Sequence, residues 1–271
     1  RGLGDVYKRQ LLTPPPAAAR EEAEETLEAL GALDSRGEIT NFGRTLATLP
    51  VDPRLGAALL KLGSGAAPTV AAIAEGLSGD LSRVDPPRNQ VNRLAKLAPK
   101  GPPVAAGEVV STAFPQWVAK RMGEEYLLAS GTRATLDPKI NLTGAEWIAA
   151  AEVQRTKHNA VIRAAAATQL PTERITQGYR AHVNKDKVQL RKVKAIGAIE
   201  LSATPVALNT STTAAASEAL EEAAASFRFE DFLLDNNERD LLSRLTFLHE
   251  QAGWPDISRG DYAVEVGEVL R

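Results

Sequence analysis

LEALGALDSRGEITNFGRTLATLPVDPRLGAALL, residues 27–60, is the stretch on which the reading of this chain turns. Leu27, Leu30 and Leu33 recur at three-residue spacing, which predicts the apolar side of an amphipathic helix. Asp34-Ser35-Arg36-Gly37 ends it, because these residue types tolerate tight or left-handed backbone. Glu38-Ile39-Thr40 is a short extended piece, and Asn41-Phe42-Gly43 is expected to be a second turn. Residues 45–50 then lead to Val51-Asp52-Pro53-Arg54. Asp52 before Pro53 predicts a helix start, since proline in the first helical turn gives up no hydrogen bond that the helix needs.

Further helices are predicted over residues 69–77 and 88–98, the second with Val91, Leu94 and Leu97 on one face. Residues 108–122 read as a fourth helical stretch, interrupted at Phe114-Pro115. Helices joined by short Pro/Gly loops suit a small bundle. The pattern changes after Gly123. Residues 126–131 and 133–136 read as paired short strands around a glycine turn, and residues 146–154 and 159–167 as apolar strands. Residues 179–206 are again strand-rich, with a turn near Asn184-Lys185-Asp186. Short strands at close spacing suggest a small barrel or sandwich. Residues 212–225 and 237–251 are expected to return to helix. The fold class is therefore α+β.

The chain has 271 residues, a net charge of −2 and no cysteine. Its length suits two or three modules. The charge argues against wholesale nonspecific binding to nucleic acid, but not against a local basic face. Without cysteine there are no disulfides and no thiolate metal sites. His158, His182 and His249 lack ligand spacing and read as independent residues. No apolar run reaches the length of a membrane span, so no membrane partner is expected and a cytoplasmic protein is the default. Asn141-Leu142-Thr143 and Asn209-Thr210-Ser211 fit the glycosylation pattern by chance on that reading.

Residues 27–60 resemble the end of the winged helix and the start of the ratchet domain of DEAH/RHA-box helicases, in spacing, turn residues and helix start together. Leu11-Leu12-Thr13-Pro14-Pro15-Pro16 is similar to the segment that precedes that winged helix, with Thr13 in place of an acid. Residues 109–136, 144–153 and 161–166, and the Phe247-Leu248-His249 and Trp254-Pro255-Asp256-Ile257-Ser258 segments, resemble blocks of the HrpB branch of bacterial DEAH helicases. Gln116-Trp117 and Ser130 depart from the Asp-Arg and Asn of that branch. The resemblance implies a winged-helix remnant over 11–50, a helical ratchet over 51–122, a β-rich OB-like domain over 123–208 and a helical C-terminal region over 209–271. Arg1 to Gln10 resembles a translated adapter sequence and is expected to be non-native.

A helicase engine needs a Gly-x-x-x-x-Gly-Lys-Ser/Thr loop, whose amides cradle phosphate, and an acidic run for magnesium. Neither occurs here, and Gly63-Ser64-Gly65 reads as a linker or helix end. No cofactor is expected in this chain. ATP and Mg would be held by RecA-like domains elsewhere in the same polypeptide, as the resemblance implies. No catalytic set emerges either. Glu21, Glu22, Glu24 and Glu25 suit a helix start, and Lys120-Arg121 would complement a helix C-terminus. The residues that can track a phosphate backbone are Arg180, Lys185, Lys187, Arg191, Lys192 and Lys194, six cations against Asp186. Arg54 is a further candidate for nucleic-acid contact, with pairing to the winged-helix turn as its structural alternative. The expected function is the accessory and C-terminal part of an ATP-dependent DEAH-box helicase that guides single-stranded RNA or DNA. The alternative is a standalone nucleic-acid-binding or scaffold module.

Overall fold

Helix α1 (Ala17–Leu30) ends where the sequence supplies Gly31, whose φ of 81° lets its N–H turn back onto the Glu28 and Leu27 carbonyls. The structure is a computed structural model that describes residues 16–142, 144–156, 159–184 and 187–207, with positions 217 and 219. The side chains of residues 182–188 fall outside that description. So do residues 1–15, Lys185, His158, His249, the helices expected at 212–225 (but for the two positions named) and 237–251, and the C-terminal segments of the resemblance. The chain divides into two compact units, Arg1–Leu170 and Pro171–Arg271.

In the first unit, the Asp34 carboxylate accepts the Arg36 and Glu38 amides, both at 2.9 Å, and closes the expected turn. Leu33 then bridges to Ile39 in antiparallel fashion. Asn41-Phe42-Gly43 is not a second turn. It opens a helix, α2 (Asn41–Leu46), because the Thr40 hydroxyl accepts the Gly43 amide at 2.9 Å. Residue types that favour turns also cap helices, and the cap wins here. The Thr40 hydroxyl donates in turn to the Gly31 carbonyl at 2.8 Å, which fixes the hairpin against the end of α1. Asp52 caps α3 (Pro53–Leu62) through the Arg54 amide at 2.8 Å, with Pro53 in the first turn.

Helices α4 (Ala67–Ala74), α5 (Arg88–Leu97) and α6 (Ala106–Ala113) complete the bundle. On α5 Leu94 is buried, whereas Leu97 is 44% exposed and leaves the predicted stripe. The helix expected over 108–122 stops at Ala113. Pro115 withholds an amide and starts a short 3-10 turn, Pro115–Trp117, and Trp117 stacks on Phe114 with centroids 5.3 Å apart. The next residues form strand β2 (Val118–Met122). A two-residue strand, β1 (Gly79–Asp80), precedes it in sequence.

Strands β2, β3 (Glu125–Leu128), β4 (Arg133–Leu136), β5 (Trp147–Arg155) and β6 (Ala160–Ala167) close on themselves. β2 pairs with β3 and β5, β3 with β4, β4 in parallel with β6, and β6 with β5. Counted from β2, the order is first, second, third, fifth, fourth and back to the first. That is the Greek-key barrel of an OB fold. The Tyr126 hydroxyl donates to the Ala145 carbonyl at 2.8 Å inside it, and burial raises its pKa above the ordinary tyrosine value.

Alanine runs favour helix by propensity, yet β5 and β6 read WIAAAEVQR and AVIRAAAA. The two faces of this hairpin explain the choice. Ile148, Ala150, Ile162 and Ala165 fill the barrel, while Ala149, Ala151, Ala164 and Ala166 pack with Val109, Val110 and Ala113 in the helical core. Small residues let α6 lie close to the sheet. A β-carbon on Gly107 would come within 2.0 Å of the Ala167 carbonyl oxygen. β1 joins β6 in parallel at Ala164 and Ala165, beyond the span covered by β4.

The second unit holds an antiparallel meander of β7 (Thr176–Asn184), β8 (Lys187–Ile196) and β9 (Ile199–Pro205). The β-rich region expected over 123–208 is thus two separate sheets. The barrel occupies residues 118–167, and the basic strands lie outside it.

Candidate nucleic-acid interface

The basic strands do not present one face. In an antiparallel pair, directly opposed residues share a side of the sheet. Tyr179 opposes Lys192 and Gln177 opposes Lys194, whereas Arg180 opposes Arg191 and Gly178 opposes Val193. Lys192 and Lys194 therefore lie on one side, and Arg180 and Arg191 on the other. Strand alternation, unlike charge counting along the sequence, separates them. Arg180 is bound within the fold, donating to Glu200 at 3.0 Å and to the Gly197 carbonyl at 2.8 Å. Arg191 donates to the Gln189 amide oxygen at 3.2 Å. Lys192 and Lys194 are exposed. Lys187 opposes Asn184 at the end of the ladder. Lys185 falls outside the described residues.

Arg54 is half-buried and leans on α1, with its guanidinium 3.5 Å from the Thr26 hydroxyl. Among the described residues it makes no hydrogen bond or ion pair with the turn at residues 34–37. Together with Asp52, Pro53, Ala19, Ala23 and Leu27 it lines an open groove of about 300 Å³ between α1 and α3. Lys120 and Arg121 complement no helix end, because they lie on β2. The Lys120 ammonium sits 5.7 Å from the centre of the Trp147 ring, across the β2–β5 pair. Arg121 donates to the Gly123 carbonyl at 2.9 Å. Gly63 and Gly65 belong to the bundle, as a helix end and a backbone crossing: Gly63 ends α3, and a β-carbon on Gly65 would strike the Pro102 carbonyl.

A second group of cations emerges on the barrel, where sequence reading found none. Arg163 on β6 forms an ion pair with Asp137 and donates to Gln154 on β5 at 3.0 Å. Arg155 donates to Thr132 in the β3–β4 turn at 2.7 Å, and Arg133 on β4 stands 3.9 Å from Glu125. The backbone amide of Lys139 and, against the cost of burial, the Arg163 guanidinium hold the Asp137 carboxyl below its ordinary pKa. Arg155 and Arg163 lie on the β5–β6 hairpin, and the parallel pairing of β4 with β6 brings that hairpin beside the strand that carries Arg133. The signal available beforehand was the strand pattern itself, since topology determines which chain-distant residues share a wall.

Residues 23–51 match the winged-helix part of the helicase-associated domain (HA2). Over 54 residues the chain is 53% identical to the DExH-box ATP-dependent RNA helicase DExH1 of Arabidopsis thaliana, and over 61 residues it is 39% identical to DExH3 of the same plant. Those stretches are 20% and 22% of this chain, and 5% of each relative. Two crystal structures of Escherichia coli HrpB, described as a DExH-box NTPase and as a DEAH/RHA helicase, superpose with a TM-score of 0.66 at 21% identity. They cover 94% and 96% of this chain, which spans 35% and 36% of theirs. Sequence and fold agree: residues 23–51 are similar to a helicase-associated winged helix, and the chain has the fold of the C-terminal region of HrpB. Among the described residues no helix is long and apolar enough to cross a membrane.

Proposed function

We propose that this chain is the accessory, C-terminal part of an ATP-dependent DEAH-box helicase and guides single-stranded nucleic acid while RecA-like domains of the same polypeptide drive unwinding in the cytoplasm. One observation carries the reading. A helicase-associated winged helix runs into a helical bundle that is packed on an OB-type barrel, and that barrel exposes arginines around β4 and the end of β5. OB barrels bind oligonucleotides on the face of their second and third strands, here β3 and β4, and on flanking loops. Arg133 stands on that face. Arg155 stands where β5 meets the loop to β6, and Arg163 on β6 is held by Asp137 and by Gln154 of β5. Guanidinium groups so placed would hold phosphates and leave bases unread, giving sequence-tolerant contact.

ATP and magnesium would act in the RecA-like domains, since this sequence carries no phosphate-cradling loop to hold them. The purified chain should therefore turn over no ATP with or without nucleic acid, in a phosphate-release assay. Stimulated turnover would overturn that assignment. Guidance is tested by fluorescence anisotropy of a labelled single strand. The chain should bind weakly and with steep salt dependence, and Arg133→Ala/Arg155→Ala should reduce both affinity and salt slope. A chain that leaves the strand free at low salt would refute the reading.

A further inference from the structure

The three-stranded sheet of the second unit offers a surface that the barrel does not explain. Its two sides differ in charge. On one, Arg180 and Arg191 face each other, with Arg180 bound to Glu200 and Gly197. On the other, Lys192 and Lys194 stand beside Gln177 and Tyr179 of β7 and beside Thr204 and Ser202 of β9. Among the described residues no carboxylate lies on this second side, and none forms an ion pair with either lysine. Both lysines are exposed. Further along the same side, Leu190 is covered by Ala219, with Tyr179 and Ala181 at the margin. The side therefore grades from an apolar patch into a wet basic strip.

We infer that this strip is a second single-strand track, with Lys192 and Lys194 on successive phosphates and Tyr179 beneath a base. Residues two apart on a strand lie about 6.6 Å from each other on one side of the sheet, so the two ammonium groups can serve neighbouring phosphates of an extended strand. Tyr179, directly across from Lys192, supplies the aromatic face on which a base stacks whatever its identity. The Ser202 and Thr204 hydroxyls and the Gln177 amide add polar contacts without base selection. This inference rests on the proposal that the chain handles single strands, but it concerns a different surface from the barrel.

The test compares four full-length chains on one labelled oligonucleotide at two salt concentrations: unmodified, Lys192→Ala/Lys194→Ala, Tyr179→Leu and Arg191→Ala. Losing two lysine contacts should lower the salt slope by about 1.4, at about 0.7 per single-strand phosphate. Tyr179→Leu should weaken binding about ten-fold, and Arg191→Ala, on the opposite side, should change nothing. Thermal melts confirm that each variant folds. Lys192→Gln/Lys194→Gln repeats the measurement if the alanine pair does not. Binding by the unmodified chain with an unchanged double-lysine variant overturns the track and leaves the barrel reading intact. Equal losses from Arg191→Ala overturn the assignment to one side. Failure of the unmodified chain to bind overturns both readings.

Discussion

Gly43 has no room for a side chain. A β-carbon there would lie 2.2 Å from the Ala32 carbonyl oxygen and 2.9 Å from the Ile39 side chain. The contact is mostly backbone, so it cannot relax by rotation of a side chain. Gly43→Ala should therefore cost about 1–3 kcal/mol, as overpacking does, read as a lower midpoint in urea unfolding. Thr40→Ala removes the cap and the link to Gly31, at about 1 kcal/mol. The same assay checks it, with Thr40→Ser retaining most of the stability. Asp137 makes a pH prediction. Its pKa is lowered in the folded state, so its contribution is complete above the ordinary aspartate pKa of about 4 and fades as pH falls through the lower folded value. Melting temperature followed downward from pH 6 should drop less steeply in Asp137→Asn than in the unmodified chain. Identical slopes would remove Asp137 from the acid response.

At the scale of elements, the sequence showed most where local chemistry decides. Asp52-Pro53 opened a helix as read, the Asp34 turn closed as read, and the hairpin of β5 and β6 stood within a residue or so of its expected bounds. Local chemistry does not decide where tertiary pairing does. The segment Val118–Met122 has no strong strand propensity and becomes a strand because two neighbours claim its edges. The basic segment is continuous in sequence but divides between two faces of the sheet, because successive strand residues alternate sides. The arginines of the barrel were invisible because closure of a sheet cannot be read from its strands singly. Burial also ranks the elements by persistence. α1 has no buried residue, whereas β5 and β6 are buried on both faces. Native-state hydrogen exchange should find the amides of α1 exchanging first and those of Ile148, Ala150 and Ile162 last. Comparable protection in the two would contradict this ranking.

Over the whole molecule, the two units divide after Leu170, and Pro171 opens the short 3-10 turn Thr172–Arg174. Trypsin at low ratio should cut at Arg174 before it cuts within the barrel, and the larger fragment should keep its cooperative melt. Within that first unit, the alanine hairpin is a party wall: one side closes the barrel, the other closes the bundle. A party wall carries load. Tension applied to the barrel reaches the helices through the packed side chains of β5 and β6, since the two cores share that hairpin. The pair would then transmit a pull as a strut does, without the lost travel of a hinge. In a force-extension experiment, the bundle and barrel should rupture in a single step.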